Sequence, residues 1–391
     1  MFFLSIIIVH LFIILYLAVP YVLEKWPSFS HSFIFKPKNT SGDRHEYYTC
    51  FEQHRLSHKS TRNFYVETAD SGDKLGVWHI LPYESARAAD GYEPCEDLFE
   101  HELHNNTPIF IYFHGNTKTR SVPWRIDKYK LLSSLGYNVI TFDYRGYGDS
   151  SGKMTGELDC VQDSMAILQY VYDHCNSSPV FFWGHSLGTA VVGSLIRHIT
   201  DAWKMSSSNC LPFPSGIILD APFTALSQVI IGQKSMWPYR VVPPMRKRMV
   251  SITRNLRMEF NTQENLTGCP VPLLILHAKD DPLVPYRLGE KVMLNDRTCS
   301  LVQVSTETEL CRTEFDNAVI STNNLGFRKA TCCFSQPTQG FGLVASYGPV
   351  ILPPGCVPQL TPDENRRFGS LGLSAKNSKQ FSGGFSLGRP G

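Results

Sequence analysis

Gly184-His185-Ser186-Leu187-Gly188 follows the short apolar run Val180-Phe181-Phe182-Trp183 and precedes Thr189 to His198, a segment that can continue as a helix. The five residues match G-x-S-x-G, in which a serine sits on a sharp strand-to-helix turn with its hydroxyl exposed at the end of a sheet. The run before it reads as a buried parallel strand. The flanking glycines have a steric reason, because neighbours without a β-carbon let strand and helix approach closely around a strained serine.

Outward from this turn the chain alternates strand and helix. NFYVETAD and KLGVWHILP, from Asn63 to Pro82, read as a hairpin, and the polar stretch up to Asn106 as a surface loop. Pro108 to Phe113 is a buried strand ending in His114-Gly115-Asn116. A helix near Trp124 to Leu135 stops at Gly136, and Asn138 to Asp143 is the next strand. Leu158, Val161, Met165, Leu168 and Tyr172 recur at helical spacing, which predicts an amphipathic crossover helix. Gly216 to Asp220 and Val271 to His277 supply two more strands. This order predicts a mostly parallel, doubly wound α/β sheet with helices on both faces.

Composition is that of one sizeable globular core: 391 residues, 42% hydrophobic and 18% charged. A net charge of +2 gives no reason to expect nucleic acid. The eleven cysteines are odd in number, so at least one is free or paired outside the chain. Cys160 and Cys175 fall in one predicted helix, roughly 22 Å apart along its axis and too far for a bridge. No cysteine or histidine cluster has zinc-ligand spacing, and the chemistry below needs no metal or cofactor.

Phe2 to Leu23 runs FFLSIIIVHLFIILYLAVPYVL without a formal charge, long enough to cross a hydrocarbon layer of roughly 30 Å. An uncleaved anchor over 1–24 is expected, then a membrane-proximal linker over 25–60. Orientation stays open on these residues: Lys25, Lys36, Lys38 and Arg44 favour a cytoplasmic body. Glycosylation sequons at Asn39, Asn105, Asn176 and Asn265 favour a luminal one.

Acyl transfer needs a nucleophile, a base, a carboxylate to orient the base, and donors for the oxyanion. Ser186 is the candidate nucleophile. The backbone N–H groups of Asn116, in the turn beginning His114-Gly115, and of Leu187 are the candidate oxyanion donors. Asp281, with Asp280 as a rival, follows the strand ending at His277, in the chain order serine then acid.

HGNTKTR at 114–120, LLSSLGYNVITFDYRGYGDSSG at 131–152, VFFWGHSLGT at 180–189, LDAPFT at 219–224 and LLILHAKDDPLVPYRLGEKV at 273–292 resemble the α/β-hydrolase domain-containing 12 and 12B group. These are membrane-anchored lipases of lysophosphatidylserine and monoacylglycerols. The resemblance runs over roughly residues 60 to 293. It implies an α/β-hydrolase fold over 61–298 with a lid at about 222–270, Ser186 as nucleophile and Asp281 as triad acid. A single-chain lipid ester as substrate and a luminal catalytic domain at the endoplasmic reticulum membrane are implied with it.

Two departures bear on activity. In this fold the triad histidine lies after the last strand, yet from Ala278 to Gly391 there is no histidine. His277 is the remaining candidate, His114 and His185 being confined to tight turns. The resemblance stops at about the same place, and Cys299 to Gly391, rich in Ser, Thr, Gly, Asn and Pro, reads as a divergent, disordered tail. The last strand and terminal helix of the fold are therefore expected to be missing. The favoured expectation is a serine ester hydrolase. A catalytically inactive form that binds lipid or a partner is one alternative, and a thioesterase or peptidase on the same fold is the other.

Overall fold

Short apolar runs become strands, and apolar residues at three- and four-residue spacing become the helices that cover them. The computed structural model describes residues 2–36, 44–88, 96–205, 210–293 and 299–304. Eight strands form one sheet in the order β1-β2-β4-β3-β5-β6-β7-β8. They are β1 (Thr61–Glu67), β2 (Lys74–Ile80), β3 (Ile109–Phe113), β4 (Asn138–Phe142), β5 (Val180–His185), β6 (Gly216–Asp220), β7 (Leu273–Ala278) and β8 (Cys299–Val304). Pairing is antiparallel from β1 through β2 to β4 and parallel from there onward.

Every residue of β3, β4 and β7 is buried, as expected for parallel strands covered on both faces. Alternation along β3 divides the core. Ile111 and Phe113 face the crossover helix Glu157–His174 and the helix Leu187–Lys204, and Phe110 and Tyr112 face Pro123–Ser134. The hairpin, the inner strands and all three crossover helices stand where the sequence places them. Gly136 ends its helix in the left-handed region, with φ +87°.

Two expectations change. Part of the stretch read as a surface loop is helical: Tyr83–Ala88 and Glu96–His104 are helices, and the second buries Phe99 and Leu103 against the sheet. Those two side chains are four residues apart, on one face, a spacing masked by the surrounding charge.

The sheet is also not short of its last strand. Cys299–Val304 pairs in parallel with β7, from Leu273↔Cys299 to Ala278↔Val304, and takes the edge position. The tail read over 299–391 therefore begins beyond Val304; the rest of it, with any terminal helix, lies outside the described residues. Pairing with β7 is a long-range interaction, invisible to composition averaged over the tail.

At the amino end, Phe2–Lys25 is one helix that runs through Pro20, followed by Pro27–Ile34. Among the described residues no helix is long and apolar enough to cross a membrane. The chain then presses on the hydrolase body: Phe35 is buried edge-on against Phe260, and Lys36 bridges to Thr117 just after β3. Between β6 and β7, in the segment expected to form a lid, lie the helices Leu226–Gly232, Trp237–Val241 and Pro243–Asn255.

Candidate active site

At the end of β5 the backbone folds back on itself. Ser186 has φ 51° and ψ −116°, a region that side chains rarely occupy, and the helix begins at Leu187. The turn is held from behind: Ser186 N–H donates to the Asp220 carbonyl at 2.8 Å, and its carbonyl accepts from the Thr189 N–H and hydroxyl at 2.9 and 2.7 Å. A β-carbon on Gly184 would lie 2.6 Å from the Gly188 carbonyl oxygen, and one on Gly188 would collide with the Phe113 carbonyl oxygen. Both glycines are therefore required for close approach of strand to helix, as the motif predicts.

Strain of this kind costs about 1–3 kcal/mol. Ser186→Gly relieves it, offset in part by the greater freedom of glycine in the unfolded chain. The expected outcome is a thermal midpoint about 2–4 °C above that of Ser186→Ala, which keeps the β-carbon. Equal midpoints for the two variants would show that the turn stores no strain.

The loop after β3 lies directly on this turn. A β-carbon on Gly115 would sit 3.3 Å from His185 Nδ1 and 3.4 Å from the Ser186 Cβ, so glycine keeps the space beside the serine free of a side chain. Arg125, itself buried, donates to the Thr119 and Thr117 carbonyls at 2.6 and 2.8 Å and fixes the loop. Asn116 is held by its side-chain amide, which donates to the Ile34 carbonyl at 3.1 Å, and by its carbonyl, which accepts from Tyr147 Oη at 2.9 Å and Lys36 N–H at 3.1 Å. The Asn116 and Leu187 backbone N–H groups have no acceptor among the described residues. Two unoccupied donors thus flank the serine.

Asp281 follows β7 in a turn closed by its own carboxylate, whose Oδ1 accepts from the Leu283 and Val284 N–H groups, both at 2.8 Å. It is half-buried, whereas Asp280 is exposed. Oδ2 lies 3.8 Å from His277 Nε2.

Among the described residues no histidine is hydrogen-bonded to the Ser186 hydroxyl. His277 is fully buried, its Nε2 is at hydrogen-bond distance from the Val284 carbonyl (2.9 Å), and its ring packs under Gly289 and Tyr286. In register, His185, Asp220 and Leu276 stand side by side, so His277 lies two strands from the serine turn, about 9.5 Å at strand spacing. His114 is enclosed by Tyr144 and Tyr147, with Nδ1 at 2.7 Å from the Gly115 carbonyl; burial, with Arg125 nearby, holds its pKa well below the usual range. His185 has a buried, unpartnered Nδ1, and burial lowers its pKa to about 4 despite Asp220. These last two are neutral at pH 7.

Behind the turn lies a pair that the motifs do not reveal. Lys128, from the helix Pro123–Ser134, forms a buried ion pair with Asp220 at the end of β6. Burial alone would raise the Asp220 pKa, but Lys128 and His185 outweigh it and keep the carboxylate ionised. Since the Asp220 carbonyl holds Ser186 N–H, this pair braces the turn. Lys128 carries no pattern in the sequence that marks it.

The α/β-hydrolase fold family model matches residues 108–198, from β3 through the serine turn into its helix. The chain is 32% identical to the lysophosphatidylserine lipase ABHD12 of Danio rerio over 281 residues, 71% of this chain and 69% of that one. It is 33% identical to the Rattus norvegicus lipase of the same name, covering 71% of this chain and 66% of that one. This chain belongs to the α/β-hydrolase family. Human protein ABHD12B is 34% identical over 59% of the chain and 61% of its own length. A solved esterase of Pyrococcus furiosus is similar over 70% of this chain and 89% of its own, with 18% identity and a TM-score of 0.45. The family relationship makes the chain an ester hydrolase by descent, with the serine turn on its most characteristic element.

Proposed function

We propose that the chain is a membrane-anchored serine hydrolase of single-chain lipid esters, of the lysophosphatidylserine and monoacylglycerol type. The observation that carries this is the strained Ser186 beside two unoccupied backbone donors, with Gly115 leaving the space between them. Ser186 Oγ attacks the acyl carbon, and the resulting oxyanion accepts from the Asn116 and Leu187 N–H groups. No histidine is bonded to Ser186 among the described residues, so the Oγ proton leaves to water, and Asp281 is the acid that would orient a base. The names of the relatives support the lipid class of the substrate.

The uncharged run Phe2 to Leu23, read over the complete sequence, supports an anchor. A luminal body at the endoplasmic reticulum is supported by the sequons at Asn105 and Asn176, both exposed. Asn265 is half-buried and donates to Ser194 Oγ at 3.0 Å, a poorer acceptor for a glycan, and Asn39 lies outside the described residues.

The absence of any histidine after His277 favours a second reading, an inactive form that still binds the lipid. The test is fatty-acid release by the full chain in detergent from lysophosphatidylserine, a monoacylglycerol, an acyl thioester and a peptide, alongside fluorophosphonate labelling. Slow release from the lipids ahead of the other two, abolished in Ser186→Ala, supports the hydrolase. Release that survives Ser186→Ala refutes it, and lipid binding without release or labelling selects the inactive form.

A further inference from the structure

We propose that the tip of the lid, Trp237 to Val242, is embedded in the bilayer beside the amino-terminal helix, with Arg246 and Lys247 at the level of anionic head groups. The proposal rests on the anchor reading above and extends it to a second element of the chain.

The lid is fastened to the amino-terminal helix by a specific joint. The rings of Tyr16 and Tyr239 stack at 4.6 Å between centroids, 15° from parallel. Each hydroxyl also reaches the other chain segment: Tyr16 Oη donates to the Pro238 carbonyl at 3.1 Å, and Tyr239 Oη to the Tyr16 carbonyl at 3.0 Å. Ile13 and Tyr16 with Trp237, Pro238, Val241 and Val242 line one apolar groove of about 200 Å³.

The position of the joint sets the depth. Tyr16 precedes Leu23 by seven residues and Ile13 precedes it by ten, about 10 and 15 Å along a helix. If the run Phe2 to Leu23 lies in hydrocarbon, the lid segment pinned at Tyr16 lies there too. The composition of the tip agrees: Trp237 is 56% exposed and Val241 58%, apolar area that water penalises and lipid does not. The predicted depth is at or somewhat beyond the roughly 5–10 Å to which interfacial helices bury their apolar faces.

Charge marks the other boundary. Arg248 pairs with Glu24, and Asn255 reaches the same carboxylate at 3.4 Å, one residue beyond the apolar run and so at head-group level. Arg246 and Lys247 are exposed on the same helix. From Ala221 to Met258 the chain holds seven basic side chains and no acidic one. A segment of that charge is attracted to an anionic leaflet, by about 1 kcal/mol per basic residue near the surface. A lipid with one acyl chain would then reach the site sideways along the leaflet.

The experiment uses the full chain reconstituted into vesicles of phosphatidylcholine and phosphatidylserine whose acyl chains carry bromine, a contact quencher of tryptophan. Of the six tryptophans Trp78 and Trp183 are fully buried and Trp124 and Trp203 half-buried, which leaves Trp26 and Trp237 as the exposed reporters. The expected result is that the quenched component is at least halved in Trp237→Phe, with Trp26→Phe accounting for the remainder. Unchanged quenching in Trp237→Phe, with the chain still retained by the vesicles at alkaline pH, overturns the embedded lid and leaves the anchor standing. Release of the chain at alkaline pH overturns the anchor and the embedded lid together.

Discussion

Turnover of a lysophospholipid by the full chain is expected to run about a million-fold below that of a relative with a complete triad, the cost of losing the base in a serine hydrolase. About a thousand-fold over the uncatalysed rate survives, supplied by the oxyanion donors and by binding. The ground is positional. His114 and His185 are buried and neutral, and His277 stands two strands away with Nε2 against the Val284 carbonyl. Asp281 still has an oxygen to offer, because only its Oδ1 is occupied by the turn amides. The edge strand shows where a base belongs: β8 lies beside β7, and Val304 pairs with Ala278 at the strand end that leads into Asp281. A chimaera in which a relative's sequence from β8 onward, with its histidine, replaces this chain's own is expected to recover several orders of magnitude in kcat. Full rates in the unaltered chain would mean that a histidine assigned here to structure is the base, and His277→Gln would then be the first variant to assay.

Arg120→Ala is expected to cost about 3–5 kcal/mol, the usual result of stranding a buried charge, against a total stability of about 5–15 kcal/mol. Arg120 is fully buried. Its guanidinium donates to Asp143 at 2.6 Å, to Asp149 at 2.6 and 3.1 Å and to Asn63 at 2.6 Å, and it lies over the Tyr48 ring at 4.0 Å. Arg120→Lys is expected to recover little, since an ammonium cannot reproduce the planar fork. The loss should depend on pH. Burial raises the Asp143 pKa to about 6 although Arg120 pulls it down. A carboxyl whose folded pKa exceeds its unfolded value contributes stability below the unfolded value and loses it as pH rises through the folded one. Without Arg120 the folded pKa rises further, so the variant should be weakest at pH 8 and regain part of the loss at pH 5. Urea midpoints of the two chains at both pH values decide the matter, and an identical deficit at each would exclude stranded carboxylates as the cause.

The elements legible in the sequence share a property: their signal is local. Val180 to Gly188 announces strand, turn and helix within nine residues, and the inner strands are apolar runs bounded by turn residues. The features that escaped depend on partners far along the chain. Cys299–Val304 is a strand because β7 stands beside it, and nothing in its own alternation separates it from the polar residues that follow. Phe99 and Leu103 make a helix inside a charged stretch because a pocket on the body receives them. At the candidate site the serine, the oxyanion turn and Asp281 follow from motif and chain order. Lys128 and the Ile34 to Lys36 contacts with Asn116 do not, since lysine or isoleucine in those positions matches no pattern until the fold brings them together.

The bridge between Lys36 and Thr117 bears on how this protein can be handled at the bench. A shortened version that begins at the hydrolase body would lack the Ile34 and Lys36 backbone groups that grip Asn116. One of the two proposed oxyanion donors would lose part of its mounting, so rates measured on such a fragment would describe a loosened site. A cut made before Pro27 keeps the grip, while removing Tyr16 and Glu24 and with them the joint to Pro238, Tyr239 and Arg248.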